Sequence, residues 1–320
     1  MLSQAGLSKE TSSFQWDACS PLVSVVTITY NHAPYIAKCI EGVLMQQVDF
    51  PMEFIIAEDC STDGTRAICE EYAAKYPDLI RLITSEHNVG YNPNELRAMR
   101  AARGKYIAYC EGDDYWTEPK KLQRQVDFLE SHPDYSVCFH NRMVEENGIV
   151  NDRNELSAFC TPDSEGFDLT MELFFHNWIT FPFSMVFRTR FFDFRWYEQY
   201  KYFRDTHMIF HFLQQGKAYV LNFIGGVRTI HSDSLFFSMD GLKAAEIDML
   251  VMRELYEKNK LLPYGGLLKK ELVDRIDVYV NNASQKKSKT ISRIKWSFRS
   301  FYYSHSVIKL FKYLYRSVFV

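Results

Sequence analysis

Beyond its first twenty residues the chain alternates short apolar, β-branched runs with stretches whose apolar positions recur at helical spacing. Leu22–Thr29, Glu53–Ala57, Leu79–Thr84, Lys105–Cys110 and Tyr135–His140 read as strands. Ile36, Ile40, Val43 and Leu44 share one helical face, and Thr65–Tyr76 is a second helix with Ser61 or Asp63 to cap it. Asn92-Pro93 opens a third helix that stops near Gly104, and Pro119 opens a fourth over Lys120–Glu130. Strands interleaved with helices in this way predict a parallel sheet with crossover helices on both faces.

The alternation dissolves between Glu145 and Gly166 into polar residues, Gly and Pro. This long loop separates a first half, residues 21–141, from a second, residues 142–235. In the second half Ser184–Arg188, Ala218–Phe223 and Val227–His231 read as strands and Asp205–Gln215 as a helix. Residues 236–320 are predicted to be a helical extension, with helices over Asp240–Asn259 and Leu267–Val280 and a tail, Ile291–Val320, of mostly helical period.

Charge changes the picture at the two ends. The formal net charge of −3 hides nine Lys or Arg and no acid in Val278–Val320, which leaves residues 1–277 with 28 basic against 40 acidic side chains. An acidic body without a broad basic face argues against nucleic acid as a partner. Seven Cys with no CxxC spacing, several of them on core elements, fit a reducing compartment. Residues 1–20 read as a loose leader without a signal-peptide core, and no run of about 18 apolar residues is present to span a membrane. A cytoplasmic protein is expected.

The strand ends carry the candidate chemistry. Three of them run into Tyr30-Asn31-His32, into Glu58-Asp59-Cys60-Ser61-Thr62-Asp63-Gly64-Thr65, and into Glu111-Gly112-Asp113-Asp114-Tyr115-Trp116. In an open α/β sheet, ligands sit beyond the carboxyl ends of the strands. Carboxylates gathered there suit Mg2+ or Mn2+ and, through the cation, a diphosphate. The plainer alternative is a solvated acidic turn that caps the next helix. Glu58 ends its strand, where an acceptor-only carboxylate can take the imide N–H of a pyrimidine. His207 and His211 stand four apart on a helix but lack a third ligand, so they are expected to be ordinary core or surface histidines.

Taken in order, Val-Ser-Val-Val-Thr-Ile-Thr-Tyr-Asn, Glu-Asp-x-Ser-x-Asp-Gly-Thr, Asn88-Val89-Gly90 and Gly104-Lys-Tyr-Ile-Ala-x-Cys-Glu-Gly-Asp-Asp-Tyr-Trp resemble the family 2 glycosyltransferases, over roughly residues 20–235. The resemblance implies the GT-A fold: a Rossmann-like, mostly parallel nucleotide-binding sheet with an acceptor half behind it. It also implies a nucleotide-sugar donor, a UDP-sugar foremost, a divalent metal, and inversion at the anomeric carbon. By position, Tyr30 would stack near the base, Glu58 would bind it, and Asp59 or Asp113 would meet the ribose. Thr29, Asn31, Asn88 and Gly90 complete the donor set. Asp113, with Asp114 and His231, would hold the metal and diphosphate. Asp205, after Arg204, matches the general base; a helix-capping aspartate paired to Arg204 is the alternative. Trp116, Trp178 and Arg228 fall on the acceptor side, the tryptophans with Phe181 as an apolar platform and Arg228 as a phosphate brace.

The tail, 286–320, interleaves Lys and Arg with Trp296, Phe298, Phe301, Tyr302, Tyr303 and further aromatics, the composition of an in-plane membrane helix. Peripheral contact with the inner face of the cell membrane, as for a lipid-linked glycan acceptor in surface polysaccharide synthesis, is expected; packing on the body or in a homo-oligomer is the alternative. Two other functions compete. A sugar nucleotidyltransferase would need a Gly-rich, basic loop after the first strand, which Tyr30-Asn31-His32-Ala33-Pro34 does not supply. A non-catalytic carbohydrate- or partner-binding protein would not need an intact acidic cluster.

Overall fold

The computed structural model describes residues 20–152, 155–177, 179–232, 239–284 and Tyr303. The expected leader up to residue 19, Trp178 and the tail apart from Tyr303 lie outside the described residues. Ten strands form one sheet. β1 (Val23–Thr29) is buried along its whole length and therefore takes a central place. It pairs in parallel with β2 (Met52–Glu58), which carries β3 (Ile80–Thr84), and on its other side with β4 (Tyr106–Tyr109). Burying each β1 valine contributes roughly 1.5–3 kcal/mol, which fixes the strand's register between its neighbours.

Three crossover helices return the chain between these strands: α1 (Ile36–Leu44), α2 (Thr65–Lys75) and α3 (Tyr91–Ala101). α1 and α2 cover one face of the sheet, together with α4 (Lys121–Ser131). α3 packs on the other face.

The second half of the sheet mixes directions. β5 (Tyr115–Trp116), β6 (Tyr135–Glu146), β7 (Ile149–Asn151), β8 (Gly166–Leu169) and β9 (Val186–Arg188) precede the long β10 (Lys217–Ile230). β9 lies antiparallel between β4 and β6, β6 runs parallel to β10, and β5 and β8 pair antiparallel with β10. The two strands expected around Gly225-Gly226 are therefore one, kinked by register shifts between Leu221 and Gly226. Within the expected loop, Asn147 and Gly148 take positive φ and turn β6 back into β7. The short helices α5 (Met171–His176) and α6 (Arg195–Gln199) lead to α7 (Asp205–Gln215), and the chain closes with α8 (Gly241–Asn259) and α9 (Gly265–Ser284). These last three share one apolar core with α3, through Ala98, Met208, Phe210, Met249, Leu272 and Ile276.

Candidate functional site

A cavity of about 1160 Å³ opens at the carboxyl ends of β1, β2 and β4. The end of β1 lends it Thr29, Tyr30, Asn31 and His32, and β2 lends Asp59. Asn88, Gly90 and Tyr91 line it before and at the start of α3, and Glu111, Asp113 and Asp114 after β4. Arg204, Asp205 and Thr206 come from the start of α7, Arg228 and Thr229 from β10, Asp248 from α8 and Arg275 from α9. Ten of the sequence-predicted residues thus share one cavity: Thr29, Tyr30, Asn31, Asp59, Asn88, Gly90, Asp113, Asp114, Asp205 and Arg228.

Gly112 shapes the acidic turn. A Cβ at that position would sit 2.8 Å from the Thr29 side chain and 2.9 Å from His32 Nδ1, so only glycine lets the turn close against the end of β1. That contact brings Asp113 beside two imidazoles. His231 Nε2 lies 3.2 Å from Asp113 Oδ2, and one ligand atom each from His32, Asp113 and His231 fall within 4.8 Å of one another. His32 Nδ1 is buried and has no hydrogen-bond partner among the described residues. Burial lowers the His32 imidazole pKa despite the charge of Asp113, which favours the neutral, metal-ligating form. Burial alone would raise the Asp113 carboxyl, but the His231 hydrogen bond and the two nearby imidazoles outweigh it and hold it below the ordinary value. An orphaned ring nitrogen, an ionised carboxylate and a second imidazole at this spacing fit a divalent cation.

His32 was not among the expected ligands. The only signal in the sequence was its place just past a strand end, which many structural histidines share. Asp114 was expected to join Asp113 on the metal; it lines the cavity but stands outside the group of His32, Asp113 and His231. Adjacent side chains leave a turn in different directions, and Asp114 Oδ1 accepts from the Thr229 amide at 2.8 Å. Burial and the charge of Asp113 push its carboxyl well above the usual range.

Glu58 is a further correction. It does not line the cavity; it is fully buried, with Arg66 Nε 2.5 Å from Oε2 and the Ser61 amide donating to Oε1. Its carboxylate ties the strand end to α2, away from the cavity. Asp59 does reach the cavity, yet it too is engaged: it accepts from Ser85 Oγ and from the Val89 and Gly90 amides, all at 2.9–3.0 Å. Asn31 stands at φ 55° and accepts the Thr62 amide at 2.8 Å, while Asp63 bridges Ala33 and Thr65. These bonds clip the loops after β1 and β2 together. Tyr30 remains the exposed residue at the rim.

Trp116 was expected to offer a platform and is instead core. Its indole donates to the Phe183 carbonyl at 2.8 Å and its ring carries the buried Lys121 ammonium 3.7 Å from the centroid. Phe181 is the aromatic that does line the cavity, with the Arg142 and Arg228 guanidiniums 3.5 and 4.9 Å from its ring centre. His207 and His211 are buried on α7, their imidazoles driven down to about 3 and about 4 by burial, and His211 stacks on Trp196; both serve the core.

Asp205 opens α7 at the cavity wall, its Oδ1 accepting the Thr206 amide at 2.8 Å. Burial raises its pKa, and Asp248 adds to the shift while Arg204 and Arg228 oppose it. Nearby, burial drives Glu111 well above the carboxylate range, helped by Asp114, Asp113 and Asp205. Glu95, hydrogen-bonded by the Tyr197 hydroxyl, is pushed up to about 7 by burial. Its own raised pKa makes Asp205 a better proton acceptor than an exposed aspartate.

A parallel half-sheet with acids at its carboxyl ends, joined to a mixed second half, is the GT-A architecture. Residues 24–196 match the profile described as Glycosyl transferase family 2, and the chain belongs to that family. It is 49% identical over 127 residues to the uncharacterised protein Rv1520 of Mycobacterium tuberculosis, covering 39% of this chain and 37% of that one. It is 39% identical over 109 residues to TuaG of Bacillus subtilis, provisionally named a teichuronic acid biosynthesis glycosyltransferase, covering 34% and 42%. The chain thus spans about two fifths of the length of these relatives. Among solved structures, Staphylococcus aureus TarS 1–349 in complex with UDP-GlcNAc is similar in fold, with a TM-score of 0.64, 17% identity, and 92% and 88% coverage. The mannosyltransferase PcManGT of Pyrobaculum calidifontis, in complex with GDP-Man and Mn2+, gives 0.53 at 16% identity and 93% and 86% coverage.

Proposed function

We propose that this chain is an inverting, metal-dependent glycosyltransferase. It would move a sugar from a nucleotide-sugar, a UDP-sugar foremost, onto a hydroxyl of a glycan or lipid-linked acceptor in surface polysaccharide synthesis. The observation that carries this is that Asp205 shares one cavity with Asp113 and His32. One group can take a proton, and the others belong to a donor set for a cation. The complexes of TarS with UDP-GlcNAc and of PcManGT with GDP-Man and Mn2+ support a nucleotide-sugar and Mn2+. The name of TuaG supports polysaccharide synthesis.

His32, Asp113 and His231 would hold the cation. Two imidazoles and one carboxylate suit Mn2+ better than Mg2+, which takes oxygen ligands. Bound there, it neutralises charge on a departing diphosphate. Asp205 accepts the acceptor's hydroxyl proton as that oxygen attacks the anomeric carbon from the side opposite the nucleotide, and the linkage inverts. The Thr206 amide holds one Asp205 oxygen and leaves the other for the substrate. Arg228 braces phosphate from its seat on Phe181, and Tyr30 at the rim meets the base. Thr29, Asn31, Asp59, Asn88 and Gly90 form the rest of the donor wall. The domain limits follow the sequence reading, with the transferase over residues 21–235 and the helical extension after it.

Incubating the protein with a panel of UDP- and GDP-sugars, with and without Mn2+, tests this by release of the nucleoside diphosphate. Nuclear magnetic resonance of the product gives its anomeric configuration. No Mn2+-dependent release from any donor, or retained configuration, would sink the proposal.

No helix of the described residues is long and apolar enough to cross a membrane. We propose that the tail, residues 286–320, rests on the inner face of the membrane. One of its residues also meets the body: Tyr303 donates to Glu257 at 2.7 Å and stands edge-on to Tyr256. Comparing the full chain with a 1–285 truncation in cell pellets decides this, and equal partitioning would leave packing on the body or on a second subunit.

A further inference from the structure

The far wall of the cavity is made by helices that lie outside residues 24–196, the span of the family match. Asp248 and Val251, one turn apart on α8, face the cavity with Arg275 of α9. Asp248 Oδ2 and Arg275 Nε are 2.7 Å apart, and the two side chains remain 45% and 27% exposed. α8 and α9 could have closed their contact with apolar side chains, as they do at Met249, Met252, Leu268 and Leu272. Instead an ion pair stands at the cavity edge beside one apolar residue, and its Asp248 charge is felt at Asp205.

We propose, resting on the transferase reading above, that α8 and α9 form the acceptor subsite, in which Asp248 and Arg275 select a neutral, polyhydroxylated sugar. The charge balance decides the class. Arg275 is already paired with Asp248 at 2.7 Å, so an anionic acceptor would have to displace that carboxylate to reach the guanidinium. A cationic acceptor would likewise have to displace Arg275 from Asp248. Sugar hydroxyls, each both donor and acceptor, can bridge a carboxylate and a guanidinium without breaking the pair. Val251 offers a small apolar surface for the sugar's C–H face.

The test titrates octyl β-glucoside, octyl β-galactoside and octyl β-mannoside, against glucuronate and glucose 6-phosphate, into the full chain loaded with Mn2+ and UDP or GDP. At least one neutral glycoside should bind. Asp248→Asn and Arg275→Gln should each weaken it about tenfold, with nucleotide affinity within about twofold of the parent, as expected when one charged hydrogen bond to the sugar is lost. Unaltered nucleotide affinity also reports that the variants fold. Binding of only the anionic sugars, of no glycoside, or with equal affinity in parent and variants overturns the proposal. So does a parallel loss of nucleotide affinity in both variants, which marks the pair as structural. Failure of the parent itself to bind a nucleotide overturns the transferase reading, a result separate from these.

Discussion

His231 Nε2 lies 3.2 Å from Asp113 Oδ2, although 118 positions separate them in the chain. The contact joins the end of β10 to the turn after β4, and His32 completes the group from the end of β1. Asp113→Ala should abolish Mn2+-dependent nucleotide binding. Loss of a group that only orients a metal ligand costs about 10–100-fold in affinity, so His32→Ala and His231→Ala, which remove ligands, should cost no less. Calorimetric titration of UDP with and without Mn2+ measures this. Parent affinity that is the same in both conditions would rule the cation site out.

Asp205→Asn should lower transfer by about 10²–10⁴-fold and leave nucleotide affinity unchanged, since the lost group acts on the acceptor proton. The pH profile carries a second signature. The base works only when ionised, so the rate falls as pH drops through its pKa. Because burial raises that pKa, the acid limb should lie above the value of about 4 for an exposed aspartate. Removing the carboxylate should remove that limb. A variant that keeps it would move the role to another acid, Glu111 first.

Gly112→Ala tests how the cation group is held. Its new Cβ would push on the Thr29 side chain and on His32 Nδ1. Overpacking of this kind costs roughly 1–3 kcal/mol, and here Mn2+ affinity should fall with it. Denaturant melts and metal titration report the two effects separately. Undiminished Mn2+ binding would show that another contact sets the position of His32.

Arg66→Ala strips the partner from a fully buried Glu58 carboxylate. Breaking a wholly buried pair costs about 3–5 kcal/mol; with the guanidinium a third exposed, about 2 kcal/mol of stability is the expected loss. Glu58→Gln in the same chain should restore part of it. A loss of nucleotide affinity larger than the loss of stability would instead return Glu58 to the binding site.

The strands β1, β2 and β4 were legible because each is short, apolar and bounded by a polar cluster. So was the start of α7 at Asp205, while the choice of that residue as base rests on the family resemblance. What remained hidden depends on direction. Sequence adjacency cannot say that Asp113 meets His231 while Asp114 turns to the Thr229 amide. Nor can it say that Trp116 points into the core to meet Phe183. β10 was divided in two because Gly225-Gly226 looks like a turn, whereas pairing with β6 carries the strand through it. His32 needed its partners from two distant segments before it could be recognised at all.

Asp59 accepts three hydrogen bonds from the segment Ser85–Gly90. Arg66 and Arg97 add bonds to the Ser85 and Thr84 carbonyls, so one side of the cavity is tied down before any ligand arrives. An incoming molecule meets a finished wall there and loses little affinity to ordering it. Whatever rearrangement accompanies binding must be sought on the opposite side, where separate helices meet.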